Sequence, residues 1–148
     1  MNHIKYICGT KEYLTDIKQL LKNEDLDTRN LTEDDFILAL DVLNNKIIGC
    51  VRIHKLSDDS LELSSMTVLK EYRKNGIGKQ MVKEILIKED QRPIYLITFQ
   101  ETSTFYKKNG FKIVDSTFLP PILAKDFSRI IQLPFTQGKN VVAMLNDE

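Results

Sequence analysis

The chain has 148 residues, and its 21 lysine and arginine residues balance 21 aspartate and glutamate residues. This length corresponds to about one domain, and zero net charge argues against binding nucleic acid or an anionic membrane through bulk charge. Hydrophobic residues make up 42% of the chain, enough for a sizeable core. No apolar run approaches the roughly 20 residues of a membrane helix, and the first residues lack the apolar stretch of a signal peptide. We therefore expect a soluble, cytoplasmic globular domain.

Cysteine and histidine are too few and too dispersed to predict a metal centre. Cys8 and Cys50 lie far apart, without CxxC spacing, so we expect neither a zinc site nor a redox pair and interpret both as small buried side chains. His3 and His54 are the only histidines, too few for a metal site built on histidine or for a Ser-His-Asp relay. We expect no metal.

The first predicted elements are a strand at Ile4–Ile7 and an amphipathic helix after Thr10. Apolar residues recur on one face of this helix, at Tyr13, Leu14, Ile17, Leu20 and Leu21. The polar span from Lys22 to Asp35 then predicts a connection with one helical turn, which we expect to frame a substrate.

Three strands are predicted next in the chain. Phe36–Val42 and Lys46–His54 are joined at Asn44-Asn45, a pair that tolerates the positive φ of a tight turn. In Ser60–Leu69 the apolar alternation changes phase after Ser64-Ser65, which predicts a bulge there.

Helices and strands alternate in the second half. The apolar period becomes helical near Gly76, and Pro93 then opens an apolar strand, Ile94–Phe99, of the kind buried on both faces of a sheet. The remaining predicted elements are a helix at Thr102–Asn109 ended by Gly110, a strand at Phe111–Val114, a helix at Ile122–Phe127 after Pro120-Pro121, and a strand at Asn140–Leu145. The order predicts an α/β fold in which antiparallel strands come first.

A turn with two glycines lies between a predicted strand and an amphipathic helix, at residues 73–79 (Arg-Lys-Asn-Gly-Ile-Gly-Lys). Glycines let successive backbone N–H groups converge on one point, and a helix N-terminus adds partial positive charge. Arg73, Lys74 and Lys79 add cationic side chains. The spacing fits neither a Walker nor a Rossmann loop. The turn therefore predicts a site for a diphosphate, and the alternative is an ordinary strand-to-helix turn.

Two motifs in this order resemble those of the GCN5-related N-acetyltransferases, the GNAT superfamily. Arg73–Gly78 follows the family pattern of Arg or Gln, two residues, Gly, one residue, then Gly or Ala, and residues 105–111 (Phe-Tyr-Lys-Lys-Asn-Gly-Phe) are similar to its Tyr-x-x-x-Gly-Phe signature. The resemblance covers Ile47 to Val114. It implies a single domain over residues 1–148, with a mixed, mostly antiparallel twisted sheet flanked by helices, and acetyl-CoA as the acetyl donor.

The resemblance also implies which residues contact acetyl-CoA. The amides of the turn bind the pyrophosphate, and backbone groups near Met66 and Val68 pair with the pantetheine arm like an added strand. The implied contacts are Met66, Thr67, Val68, Arg73, Lys74, Asn75, Gly76, Ile77, Gly78, Lys79, Thr102 and Phe105.

Two catalytic residues follow from the same resemblance. Tyr106 is similar in position to the general acid of the family, whose hydroxyl approaches the departing sulfur. Glu62 is similar to the glutamate base of the histone-acetylating branch, which works through water. The alternatives are a tyrosine that only packs in the core and a solvated strand residue.

The acceptor is the least defined part of the prediction. A weaker resemblance, at Ile97–Gln100 and Leu119–Pro121, is to the branch acting on amino-acid-like amines. Arg52 is then a candidate for binding a substrate carboxylate in a bidentate pair, and its alternative is a surface arginine at an edge of the sheet.

We expect direct attack of a primary amine of a small molecule on the thioester in a ternary complex, because neither cysteine lies in a motif that activates a nucleophile. Three alternatives stay open: a CoA-binding sensor or assembly partner without catalysis, a protein or peptide N-acetyltransferase, and a general nucleotide-diphosphate binder. The last is disfavoured, since no acidic residue follows at the spacing of a ribose or Mg²⁺ site. The oligomeric state is open, with a homodimer as one option.

Overall fold

The computed structural model describes residues 3–29, 31–136 and 140–148. These residues form an α/β fold, in which a mixed, mostly antiparallel sheet combines with helices. The elements are β1 Ile4–Cys8, α1 Leu14–Asn23, β2 Phe36–Asp41, β3 Lys46–Lys55, β4 Leu61–Val68, α2 Ile77–Lys88, β5 Ile94–Phe99, α3 Gln100–Lys107, β6 Lys112–Val114, α4 Pro121–Ile130 and β7 Val141–Asn146. Short 3-10 turns lie at Lys11–Tyr13, Glu33–Asp35, Lys70–Tyr72, Ser116–Phe118 and Pro134–Thr136.

The strand order in the sheet is β1-β2-β3-β4-β5-β7-β6. β1, β2 and β3 are antiparallel neighbours, β4 pairs with β5 in parallel, and β7 pairs antiparallel with both β5 and β6. This order confirms the predicted fold class, with antiparallel hairpins first in the chain and a parallel step later.

Two compact units make up the chain. The first comprises Met1–Ile53 and Leu63–Asp90, and the second comprises His54–Glu62 and Gln91–Glu148. The assignment of all 148 residues to one domain therefore stays a prediction.

In the first unit, α1 packs against β2 and β3 through the apolar face that the sequence predicts. Its core cluster is Ile17, Leu20, Leu21, Phe36, Leu38, Ile47 and Cys50. Burial of each large side chain contributes about 1.5–3 kcal/mol, so this cluster is a main source of the stability of the unit.

Three positions of left-handed backbone in the first unit lie where the sequence predicts a turn, a strand irregularity or a helix start. Asn45 has a φ of 49° in the turn between β2 and β3, and Ser65 has a φ of 58° inside β4, at the serine pair where the sequence predicts a bulge. The bulge itself stays a prediction. Gly76, with a φ of 76°, is the N-cap of α2. The buried face of α2 consists of Ile77, Met81, Val82 and Ile85.

The second unit has its own core, in which α4 packs with β7. Leu119, Leu123 and Ala143 are buried there, and half-buried apolar residues that include Tyr95 and Ile97 pack around them. Because only Ile94 and Leu96 of β5 are fully buried, the prediction that this strand is buried on both faces is only partly correct.

The helices of the second unit differ slightly from their predicted bounds. α3 begins at Gln100, two residues before the predicted Thr102, and ends before Gly110, whose φ is 91°. α4 continues to Ile130, three residues beyond the predicted end at Phe127.

The expected burial of Cys8 and the alternative position of Arg52 at a sheet edge are both wrong. Cys8 is exposed rather than buried, because it is the last residue of β1, and β1 is an edge strand. Arg52 lies on β3, between β2 and β4 in the sheet, so it is not on an edge strand. Within the described residues, no helix is long and apolar enough to cross a membrane.

Candidate active site

The turn before α2 has the backbone geometry of an anion site. Lys74 and Gly76 both have left-handed conformations, with φ of 66° and 76°, and such conformations turn successive N–H groups toward a common point. The first turn of α2 contains no acidic residue, and Gly76 caps the helix without a side-chain hydrogen bond. The amides of this first helical turn therefore point toward an outside acceptor.

The space next to the Gly76 backbone shows whether a ligand fits there. A Cβ atom built on Gly76 meets no heavy atom within 4 Å. A phosphate group therefore has room to approach the backbone at this position, and a side chain there would enter that space. The turn fits an anionic group such as the pyrophosphate of CoA.

The predicted contacts in residues 74–79 differ in what they offer a ligand. Lys74 and Lys79 are exposed cations, whereas Ile77 is 3% exposed and faces the core, so it offers only its backbone. The side-chain amide of Asn75 donates to the carbonyl oxygens of Tyr72 and Arg73, each at 3.1 Å. Asn75 therefore fixes the turn rather than extending from it.

Arg73 connects the turn to its surroundings. Its Nε donates to the Val68 carbonyl oxygen at 2.8 Å, and its Nη2 forms an ion pair of 2.8 Å with Oε1 of Glu24. The guanidinium is thus bound to the end of β4 and to a carboxylate just after α1. Arg73 fixes the position of the turn in the structure. The carboxylate of Glu24 offsets the positive charge of Arg73, which the sequence analysis expected to face a phosphate.

The C-terminal end of β4 has half-buried apolar side chains. Met66 and Val68 are half-buried, while Thr67 is 8% exposed and belongs to the core. The alternation leaves apolar surface of Met66 and Val68 in contact with solvent. This surface is suited to cover by the largely apolar part of a pantetheine chain.

Glu62 is paired with a histidine in the second unit. Its Oε1 lies 2.9 Å from Nε2 of His54, and the two side chains are only 18% and 20% exposed. The alternative that Glu62 is a solvated strand residue therefore does not describe its environment. A carboxylate bonded to one imidazole nitrogen fixes the orientation of the ring.

Tyr106 lies in an aromatic cluster. Its ring packs edge-on against Phe105, with centroids 5.0 Å apart, and against Phe111, at 5.9 Å. Burial raises the pKa of Tyr106 to about 12, so the phenol is protonated at neutral pH. The geometry agrees with a packing role, and the role as general acid stays a prediction.

The two predicted cofactor contacts on α3 have different environments. Thr102 is exposed, and its hydroxyl donates to the Phe99 carbonyl oxygen at 2.9 Å and contacts the hydroxyl of Thr98. Phe105 is half-buried beside Tyr106. Thr102 is thus accessible to a ligand, whereas Phe105 contributes to the aromatic cluster.

Arg52 is a half-buried cation held in a defined position. Its Nε donates to Oγ of Ser64 at 3.3 Å, and its guanidinium carbon lies 5.8 Å from the centroid of the Phe36 ring. Among the ion pairs of the described residues, none involves Arg52. The guanidinium retains free donors for a carboxylate.

The segment after α1 lies within the electrostatic reach of Arg52. Hydrogen bonds from Arg29 lower the pKa of Asp27 to about 2, and the charge of Arg52 adds a smaller effect in the same direction. A cleft of about 530 Å³ runs along α1 and this segment, lined by Thr15, Lys18, Gln19, Lys22, Asp25, Leu26 and Thr28. Of the predicted substrate span Lys22–Asp35, Asn30 lies outside the described residues.

Cys50 is unsuited to carry an acetyl group. It is fully buried, its thiol donates to the Ser65 carbonyl oxygen at 3.4 Å, and burial raises its pKa to about 12. The thiolate needed for nucleophilic attack is therefore strongly disfavoured at neutral pH.

Sequence reasoning missed His54 as the partner of Glu62. Both residues are equally distant in sequence from Asp58, so a hairpin centred on Asp58 places them opposite each other. The equal spacing of the two residues around Asp58 could therefore have predicted this pair. No local pattern identifies Glu24 as the partner of Arg73, because the two are 49 residues apart.

Comparisons with known proteins identify the family to which the sequence and fold belong. A family model described as an acetyltransferase (GNAT) domain matches residues 32–113, which is more than half of the chain. An uncharacterized N-acetyltransferase of Chlorobaculum tepidum is 29% identical over 95 residues, which cover 62% of this chain and 59% of that protein. The match thus spans less than two-thirds of the relative.

Solved structures are similar in fold. N-acetylglutamate synthase from Neisseria gonorrhoeae, in complex with CoA and N-acetyl-glutamate, superposes with a TM-score of 0.74 at 15% identity over 97% of this chain and 35% of the synthase. A Mycobacterium tuberculosis protein in complex with CoA gives a TM-score of 0.72 at 20% identity over 97% of this chain and 99% of its own. Arabidopsis thaliana Naa50, bound to a CoA-peptide bisubstrate analogue, gives 0.61 at 18% identity over 99% of both chains. These similarities confirm the expected fold.

Proposed function

This chain belongs to the acetyltransferase (GNAT) domain family, and we propose that it transfers the acetyl group of acetyl-CoA to a primary amine. The observation that carries the proposal is the turn before α2, where left-handed backbone, a helix N-terminus without a side-chain cap and open space at Gly76 coincide. These features suit a pyrophosphate. Acetyl-CoA supplies the activated acetyl thioester, and the residues of the chain supply binding, orientation and proton transfer.

His54 and Glu62 are the proposed route for the proton of the acceptor. An amine attacks only when it is neutral, so an ammonium group must first lose a proton. Imidazole is the side chain that most often serves as a general base in proteins, which makes His54 the proposed acceptor of this proton. We assign Glu62 to orient His54 and stabilise its protonated form through the 2.9 Å contact.

Tyr106 is the proposed donor to the departing sulfur. A phenol with a pKa of about 12 is a weak acid, and transfer of its proton to a thiolate is unfavourable because the conjugate thiol is the stronger acid. Tyr106 therefore acts best as a hydrogen-bond donor that stabilises the thiolate, with the proton itself supplied by solvent.

The acceptor class that Arg52 favours is an amine that also carries a carboxylate. A guanidinium positioned over Phe36 and bonded to Ser64 is already oriented for a bidentate pair. The synthase structure that holds N-acetyl-glutamate supports an amino-acid acceptor. The peptide analogue in the Naa50 structure supports the second candidate, a peptide N-terminus.

Release of free CoA thiol, measured over a panel of amines, tests the activity. The panel pairs amino acids with their decarboxylated amines and adds short peptides. We expect turnover, with higher kcat/KM for acceptors that carry a carboxylate. Binding without turnover of any amine favours the non-catalytic CoA-binding alternative. Acetyl-CoA should also raise the melting temperature more than ATP or NAD, and equal shifts contradict the assignment of the cofactor.

Arg52→Lys tests the acceptor class separately. Lysine keeps the charge but loses the planar pair of donors, so KM for an amino acid should rise about tenfold while kcat changes less. KM for the matching decarboxylated amine should stay the same. An equal effect on both acceptors excludes a carboxylate contact at Arg52.

Cytoplasmic location and the absence of nucleic-acid and membrane partners stay predictions of the sequence, and the oligomeric state stays open, with a homodimer as one option.

A further inference from the structure

A fully buried carboxylate lies at the end of β2, remote in sequence from the turn before α2. Asp41 is 0% exposed, and a buried charge is costly unless hydrogen bonds compensate it. Its Oδ1 accepts the backbone N–H groups of Leu43 and Asn44, at 3.0 and 3.2 Å. Its Oδ2 accepts from the side-chain amide of Asn44 at 2.8 Å and from the hydroxyl of Tyr72 at 2.6 Å.

These bonds divide into two groups by what they hold. The three bonds from Leu43 and Asn44 organise the local turn between β2 and β3, as aspartate commonly does. The bond from Tyr72 joins residues that are 31 positions apart, so it does not belong to the local turn. Nε2 of His3, 3.8 Å from Oδ2, adds a weaker contact on the same oxygen.

Tyr72 is the last residue of a 3-10 turn and immediately precedes Arg73. Its backbone N–H donates to the Leu69 carbonyl oxygen at 2.9 Å, and its own carbonyl oxygen accepts from the side chain of Asn75 at 3.1 Å. Tyr72 is therefore bound to Asp41 through its side chain and to the proposed CoA-binding turn through its backbone.

The turn needs such support because its conformation is intrinsically unfavourable. A lysine in the left-handed region, as Lys74 is with a φ of 66°, persists only where surrounding contacts fix it. Asn75 supplies one such contact from inside the turn. The bond between Asp41 and Tyr72 supplies the support from outside it.

We propose that Asp41 and Tyr72 are positioning residues for CoA, which hold the turn before α2 in its binding conformation through the bond between the end of β2 and the residue that precedes the turn. The inference rests on the proposed function of that turn. When the bond is lost, the turn populates other conformations, and apparent affinity falls in proportion to the competent fraction. Chemistry in the loaded enzyme is unaffected, because neither residue needs to touch the reacting atoms.

Tyr72→Phe removes only the hydroxyl oxygen, and Asp41 keeps its other donors, so the variant should fold. We expect the Kd of CoA, measured by calorimetry, and the KM of acetyl-CoA to rise about tenfold, the size of one charge-assisted hydrogen bond. We expect kcat to stay within about twofold. Tyr13→Phe is the matched control, since Tyr13 is a half-buried tyrosine of the same unit that packs beside the α1 core.

Asp41→Asn and the double variant complete the test. If both residues act through one bond, the double variant should bind CoA no more weakly than the weaker single variant. An unchanged Kd in Tyr72→Phe, an equal rise in Tyr13→Phe, or additive losses overturn the proposal. Failure of the wild-type protein to bind CoA at all overturns the proposed function instead.

Discussion

Alanine substitutions at Gly76 and Gly110 distinguish an effect on ligand binding from an effect on stability. Both have a left-handed backbone, with φ of 76° and 91°, and both belong to the motifs described above. An added Cβ meets nothing within 4 Å at Gly76, but lies 2.9 Å from Nδ2 of Asn146 at Gly110. The same substitution to alanine therefore enters open space at Gly76 but meets the side chain of Asn146 at Gly110.

The expected effects on stability follow from this difference. An alanine in the left-handed region costs about 1–2 kcal/mol, which lowers Tm by roughly 2–4 °C per kcal/mol in a chain of this size. Gly76→Ala should show only this strain. Gly110→Ala should lose more, because it also displaces Asn146, whose side chain donates to the Gly110 carbonyl oxygen at 3.1 Å.

The expected effects on CoA binding have the reverse order. At Gly76 the new methyl group occupies the space of the phosphates, and loss of one charge-assisted bond, about 1.5–3 kcal/mol, raises Kd about 10- to 100-fold. Gly110→Ala should bind CoA within about twofold of the wild type. Calorimetry with CoA, at a temperature well below the Tm of each variant, measures Kd, and thermal unfolding measures the change in stability. A normal Kd in Gly76→Ala refutes the assignment of this turn to the pyrophosphate, and parallel losses in both variants indicate a purely structural role.

The other predictions concern the second unit. Tyr106→Phe isolates the buried phenol: its pKa is 10.0 in the unfolded chain and about 12 in the folded protein, so the stability advantage of the wild type over the variant should shrink by about 3 kcal/mol as pH rises through that interval. Urea unfolding of both proteins measures this, and a constant difference contradicts the pKa shift. Glu62→Gln, His54→Gln and the double variant should each lose turnover by a similar factor, on the order of 10²-fold, because the pair transfers one proton. Additive losses show that the two residues act independently.

Features of the fold that depend on neighbouring residues were predictable from the sequence. The apolar stripe of α1 repeats with the period of a helix, and an asparagine pair marks the turn where Asn45 takes a positive φ. Each of these signals lies within a few residues of the structure that it specifies. The motifs around Gly76 and Tyr106 are local in the same sense.

Features that depend on strand order or on distant partners were not predictable. The exposure of Cys8 follows from the position of β1 at the edge of the sheet, which no periodicity near Cys8 reports. The bond between Tyr72 and Asp41 joins residues 31 positions apart. The sequence thus identified the turn before α2, but not the contacts that hold it.

Backbone strain close to the turn before α2 supports a ligand site at this segment. Ser65, Lys74 and Gly76 all have positive φ within the stretch from β4 to the start of α2, and each non-glycine case costs about 1–3 kcal/mol. Side chains from elsewhere in the unit offset that cost: the Cys50 thiol bonds to the Ser65 carbonyl oxygen, and Asp41 holds the tyrosine that leads into the turn. A strand and helix joined only for packing need no such support, because unstrained connections exist. Strain that is maintained by distant contacts is therefore better explained by a backbone shaped for a ligand than by the requirements of folding.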